Sequence, residues 1–292
     1  GDELTSYVDP GGSGGDIERL LACYDAQVMS RHLDLAARWL QRRGQGFYTI
    51  GSAGHESNAA VALALRPTDP ALLHYRSGGF YLARAQQVPG STPVEDILSG
   101  FMAATSDPIS GGRHKVFGHP GLAIIPQTST IASHLPRSFG VAFSLDRAAA
   151  LGVHTPWPAD AIVVTSFGDA SVNHSTLVGA LNAAAFAVAR RLPVPLLLVC
   201  EDNGFGISTP SPAGWVERAL SRWPAVDYVA ADGTRPAEVL QHADAAVRMV
   251  RDERRPVVLH LRTVRYMGHA GSDAEVGYRS RAEIVGDYDR DP

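Results

Sequence analysis

Residues 161–170 read AIVVTSFGDA and residues 195–204 read PLLLVCEDNG. In each, a short apolar run ends in a polar tip: 161–167 leads into Gly168-Asp169-Ala170, and 195–200 leads into Glu201-Asp202-Asn203-Gly204. The Ala-rich stretch 176–190 lies between them. This pattern reads as strand, helix, strand, so the two tips should emerge at the same edge of a parallel sheet. That edge is where open α/β sheets bind ligands. Asp169 and Asn203, 34 positions apart (203 − 169), place one carboxylate and one amide oxygen there. Both are hard ligands, suited to Mg²⁺ or Ca²⁺. Gly-Asp after a strand is nevertheless common, and Asp-Asn-Gly is an ordinary turn, so the two tips alone leave a purely structural role open.

Working outward, the 292 residues are 45% hydrophobic and 19% charged, enough to bury a large α/β core. The net charge is −4 with no basic run, which favours neither a nucleic acid nor an anionic membrane as partner. Without a signal-peptide pattern or a membrane-length apolar stretch, a cytoplasmic location is expected. Cys23 and Cys200 sit in apolar runs and read as reduced core residues.

Residues 1–15 are Gly-rich and read as a flexible leader, leaving 16–292 as the functional domain. From 16 to 43, Ile17, Leu20, Leu21, Tyr24, Val28, Leu35 and Trp39 recur at helical spacing, with Asp16 as N-cap and Gly44 as stop. This reads as a packing helix. Further helices are expected at 59–65, 133–150, 176–191 and 237–251, and strands at 72–75, 161–167, 195–200 and 257–263. The segment 108–126, with Arg113, His114, Lys115 and His119 among several Gly and Pro, reads as a long functional loop. Residues 277–292 show no obvious closing element. The alternation predicts a doubly wound, mostly parallel α/β sheet with helices on both faces.

Four more segments join the two tips: His74-Tyr75-Arg76-Ser77-Gly78-Gly79; Gly111-Gly112-Arg113 with Gly118-His119; QTSTIASHLP at 127–136; and RTVRYMGHAGSDAEVGYR at 262–279. In this order they resemble the α subunit of the thiamine diphosphate-dependent, decarboxylating component of 2-oxo acid dehydrogenases, the branched-chain type above all. The resemblance implies a thiamine diphosphate-binding fold and oxidative decarboxylation of a 2-oxo acid, with acyl transfer to a lipoyl group. It implies thiamine diphosphate and Mg²⁺ as cofactors, with Asp169, Asn203 and the Phe205 carbonyl as metal ligands. Tyr75 and Arg76 would contact the diphosphate, beside Gly168 and Ala170. Ser129 and Ile131 would form the wall against the cofactor's rings, with Ile131 as the wedge. His269, with Arg265 nearby, would be the catalytic histidine, donating to a developing anion or relaying a proton.

The sequence departs from the family pattern at Ala170, where a Gly is usual, and at Asp202, where the usual pair is Asn-Asn. His134 stands where branched-chain relatives place a Gln at a monovalent-cation site, and Ala270 where regulated relatives carry a Ser. The carboxylate that activates the cofactor's pyrimidine belongs to the family's β half, and no segment here resembles it. The resemblance therefore implies a β subunit or fused β half, an α2β2 assembly, and a lipoylated dihydrolipoyl acyltransferase as partners. Two other readings stand beside it: acyl transfer to a non-lipoyl acceptor, and a non-catalytic scaffold.

Overall fold

The computed structural model describes residues 14–47, 49–107, 109, 111 and 117–292. In chain order it contains α1 (Gly14–Arg42), α2 (Asn58–Ala64), β1 (Ala71–Leu72), α3 (Gly78–Gln86), α4 (Pro93–Phe101), α5 (Leu135–Ala150) and β2 (Val163–Gly168). These are followed by α6 (Ser175–Ala189), β3 (Leu196–Asp202), β4 (Phe205–Gly206), β5 (Thr209–Pro210), α7 (Trp215–Leu220), β6 (Asp227–Asp232), α8 (Pro236–Glu253), β7 (Val257–Arg262) and α9 (Arg281–Asp287).

The main sheet has the order β1-β2-β3-β7-β6, and each neighbouring pair is parallel. The expected α/β class holds, because the central strands are apolar at consecutive positions and each face has helices to cover it. Val164, Leu197 and Val199 join the core built with α2, α3 and α8, whereas Val163, Phe167, Leu196, Leu198 and Cys200 join the one built with α5, α6 and α7. Continuing that alternation, Glu201 falls on the α2 side and Asp202 on the α7 side. Gly168 is in register with Glu201, so the polar tips of β2 and β3 end level with each other. Both cysteines are free and buried.

Three expectations are corrected. The first helix forms, but Asp16 lies in its first turn and is not the cap. Its apolar stripe also faces outward: Ile17, Leu21, Tyr24, Val28, Leu35 and Trp39 are exposed, while Cys23, Ala26, Ser30, Leu33, Ala37 and Leu40 are buried. Small side chains on the buried face let α1 approach α3 closely, and periodicity counted on large residues misses them. Finally, the C-terminal stretch does close on an element. Ser280 and Glu283 form a reciprocal capping box that starts α9. The Tyr266 hydroxyl donates to the Asp287 carbonyl at 2.5 Å, tying that helix to the loop after β7.

The 108–126 segment is only partly described, and Arg113, His114 and Lys115 lie outside the described residues, as does most of the expected 1–15 leader. Within the described part, His119 bridges to Ile124, and Ile125 N–H donates to Ala71 O, so the segment continues the edge beside β1.

Candidate functional site

The carboxyl ends of β1, β2 and β3 open on a cavity of about 180 Å³. Tyr75, Arg76, Ile131, Gly168, Asp169, Ala170, Asn203, Phe205 and His269 line it, so residues spread over 195 sequence positions (269 − 74) meet there with His74. Of the residues singled out from sequence, Ser129 and Arg265 are not on the cavity wall. Arg265 stands behind it, donating to the Ile207 carbonyl at 2.7 Å and to the Tyr278 hydroxyl at 2.6 Å. Its guanidinium also lies 5.4 Å from the centre of the Phe205 ring.

Asp169 opens the short 3-10 turn that follows β2 and is only 2% exposed. Burial pushes its carboxyl up to about 6, the negative charge of Asp202 adds to the shift, and a hydrogen bond from the Ser211 hydroxyl at 2.8 Å opposes it. A buried carboxylate held against a second negative charge is a favourable place for a cation. Asn203 accepts the Phe205 N–H on Oδ1 at 3.1 Å, which fixes the sense of the amide. Phe205 pairs with Pro210, which has no N–H, so its carbonyl is not claimed by that partner.

The donor set on offer is thus a carboxylate, an amide oxygen and a backbone carbonyl. These residues fit a hard divalent ion such as Mg²⁺. Among the described residues no cluster of three His, Cys, Asp or Glu exists that would favour a softer metal. Ala170 is absent from the residues with positive φ, so the backbone there does not require the Gly usual in the motif. Its methyl group packs against Gly206, where an added Cβ would sit 3.2 Å away.

Arg76, also in the cavity lining, is buried and directs Nη1 to the Gly51 carbonyl at 2.7 Å. Its Nη2 donates to the His269 carbonyl at 3.0 Å and to His269 Nδ1 at 3.2 Å. Because a guanidinium only donates, Nδ1 must be the bare nitrogen, leaving the proton on Nε2. Burial, then Arg76, then Arg265, pull the His269 pKa down to about 4. Near neutral pH this ring is therefore uncharged and can donate through Nε2–H. The loop that carries it is braced by Asp273, which accepts the His269 N–H at 2.6 Å, and by Thr49, whose hydroxyl accepts the Gly271 N–H at 2.8 Å.

Sequence reasoning assigns no role to His74, Glu201, Ser211 or Ile207. The His74 ring centre lies 3.9 Å from that of Tyr75, tilted by 38°, and the ring faces Gly168. Glu201 carried a legible signal: a carboxylate continuing an apolar strand must find partners in the interior. At His134, Nε2 lies 2.7 Å from the Ser166 carbonyl and donates to it.

Comparison with known proteins follows the same lines. Residues 24–288 match the family model described as "Dehydrogenase E1 component". The chain is 30% identical over 266 residues to the Arabidopsis thaliana mitochondrial 2-oxoisovalerate dehydrogenase subunit alpha 2, covering 89% of this chain and 52% of the relative. It is 28% identical over 279 residues to the Bacillus subtilis 2-oxoisovalerate dehydrogenase subunit alpha, covering 92% and 78%. The corresponding mouse subunit is 25% identical over 272 residues, covering 91% and 57%. The chain thus spans about half the length of the plant and mouse relatives.

Proposed function

This chain belongs to the dehydrogenase E1 component family, and on that premise we propose that it supplies the diphosphate and metal half of a thiamine diphosphate site for branched-chain 2-oxo acids. The observation that carries this reading is the convergence of Asp169, Asn203 and Phe205 with Arg76 and His269 in the lining of a single cavity. The similarity to 2-oxoisovalerate dehydrogenase α subunits supports the substrate class.

In this reading Asp169, Asn203 Oδ1 and the Phe205 carbonyl hold Mg²⁺, and Arg76 and Tyr75 receive the diphosphate oxygens. Thiamine diphosphate, when bound, supplies the nucleophilic carbon and electron sink that 2-oxo acid decarboxylation needs. Arg76 puts a fixed positive charge on the wall, and its two anchors mean that it need not reorganise when an anion arrives. Ile131 and Ile207 form an apolar rim at the mouth of the cavity. His269 presents Nε2–H to negative charge developing on a substrate oxygen, a role suited to a ring that is uncharged near neutral pH and donates a hydrogen bond through that group.

The rim residues Ile131 and Ile207 are 37% and 54% exposed, an apolar mouth suited to cover by another polypeptide. The reading accordingly includes a β subunit or fused β half in an α2β2 assembly, acyl transfer to the lipoyl arm of a dihydrolipoyl acyltransferase, and a cytoplasmic setting. No described helix is long and apolar enough to cross a membrane. The test is calorimetric titration of the full-length assembled protein with thiamine diphosphate and Mg²⁺, with Asp169→Ala as control. Binding by the wild type that the variant loses is the expected result. Absence of wild-type binding, or equal binding by the variant, would overturn the proposal.

A further inference from the structure

His55 lies fully buried between two polar side chains distant in sequence. Its Nδ1 is 2.8 Å from Glu201 Oε2, and its Nε2 is 3.0 Å from Asn203 Nδ2. Glu201 is also fully buried, and its carboxylate further accepts Asn58 Nδ2 at 3.3 Å and the Ser77 hydroxyl at 3.4 Å. Hydrogen-bond accounting fixes every group in this chain of contacts. The Phe205 N–H requires an acceptor, so Asn203 turns Oδ1 toward it and Nδ2 toward His55. Nδ2 only donates, so His55 Nε2 must be bare and the ring proton must sit on Nδ1. That proton then meets the Glu201 carboxylate. Reversing any one member would set two donors or two acceptors face to face inside the protein.

We propose that Glu201 and His55 are positioning residues for Asn203, setting its amide oxygen, and not its nitrogen, toward the divalent cation. This inference rests on the metal site of the proposed function. The oxygen and nitrogen ends of an amide have nearly the same shape, so packing alone selects poorly between them. A flipped Asn203 would point N–H groups at a cation. A carboxylate that holds a ring nitrogen, which in turn holds the ligand side chain, removes that alternative, as outer partners do at other metal sites. The pairing also explains why a charged residue ends the otherwise apolar β3. Its carboxylate faces α2, on the opposite side of the sheet from Asp202, which instead pairs with His260 at 3.0 Å.

The experiment compares wild type, His55→Leu, His55→Gln and Glu201→Gln in the full-length assembled protein. Mn²⁺ is the probe, titrated with thiamine diphosphate present and followed by electron paramagnetic resonance, with thermal unfolding measured in chelator. His55→Leu is expected to weaken Mn²⁺ binding roughly 10–100-fold. His55→Gln, whose amide can donate to Glu201 and accept from Asn203, is expected to stay within about a factor of three of wild type. Should His55→Leu fail to fold, Glu201→Gln carries the test. It keeps the shape but frees His55 to adopt the other tautomer, and a loss of about tenfold or more at an unchanged unfolding midpoint is expected.

A folded His55→Leu or Glu201→Gln that binds Mn²⁺ like wild type overturns the inference while leaving the metal site standing. Equal losses in His55→Gln and His55→Leu overturn it too, since they would indicate packing and not hydrogen bonding. A wild type that binds no Mn²⁺ with the cofactor overturns the functional proposal and this inference with it.

Discussion

Arg76 holds His269 beside it on the cavity wall, donating through one nitrogen to both the ring Nδ1 and the backbone carbonyl of that residue. The pair joins the loop after β1 to the loop after β7, and it fixes the histidine's tautomer before any ligand arrives. Burial and the two nearby guanidinium groups lower the His269 pKa to about 4. In ligand-free protein, a nuclear magnetic resonance titration should therefore show the ring neutral throughout pH 5–8, with the proton on Nε2. The linkage has a definite sign. The unfolded chain takes up this proton near its ordinary 6.5, so acidification from there toward 4 should destabilise the fold. A midpoint near 6.5 would contradict the assignment, as would an Arg76→Met variant that leaves it unchanged.

Asp169 shifts the opposite way. Its folded pKa of about 6 lies above the ordinary 3.8, so its contribution to stability is intact below 3.8 and lost as pH rises through 6. With metal chelated, Asp169→Asn should raise the unfolding midpoint at pH 8, by on the order of 2 kcal/mol, and should make little difference near pH 4. Ser211 can still donate to the amide oxygen. Urea denaturation at the two pH values checks this, and a variant less stable than wild type at pH 8 would refute it. A residue that weakens the empty fold yet suits a cation is the compromise expected of a functional site.

Most of the sheet could be read from sequence, and the reasons for the failures are physical. Strands β2, β3 and β7 are mostly apolar and buried almost throughout because both faces are covered. β6, with the sequence DYVAAD, is a sheet edge whose residues are largely half-buried, so no comparable run marks it. No helix is expected from sequence at α3, which begins Gly78-Gly79. An added Cβ at Gly78 would meet Ser52 Oγ at 2.6 Å, and one at Gly79 would meet the Glu56 carbonyl at 2.6 Å. Close packing, and not a turn, accounts for that pair. At the site, the metal-ligand candidates stand at strand ends where a motif reveals them, whereas the partnership of His55 with Glu201 spans 146 positions and leaves no local trace.

Gly54 tests how tightly the His55 loop is built. Its φ is +91°, and a Cβ there would lie 2.3 Å from the Val264 carbonyl oxygen. Gly90 has a similar φ of +83° with no atom within 4 Å of the added Cβ. Gly54→Ala should therefore cost about 3 kcal/mol or more, through backbone displacement added to strain, and Gly90→Ala only about 1 kcal/mol. Paired urea denaturation of the two variants measures the difference, and equal losses would show that the loop yields.

Ile207 is a β-branched residue held at φ +57° on the rim of the cavity, with its carbonyl taken by Arg265. Ile207→Gly relieves strain of about 1 kcal/mol, roughly offset by the greater freedom of Gly in the unfolded chain. The unfolding midpoint should stay nearly constant while thiamine diphosphate binding weakens about tenfold from the lost apolar wall. A large fall in midpoint with binding intact would assign Ile207 to folding and not to the cavity.

The register between Gly168 and Glu201 has a consequence for how such sites diversify. Because the carboxylate and amide candidates are set by two adjacent strands, their distance in space is governed by hydrogen-bonded strand spacing, while the number of residues between them is free to drift. Lengthening α6, or the turn that leads from it into β3, adds sequence on the far side of the sheet and leaves the binding edge untouched. A pattern search that demands a constant interval between the two ligands will therefore pass over true relatives. One that demands two buried strands, each ending in an oxygen ligand and in register, will find them.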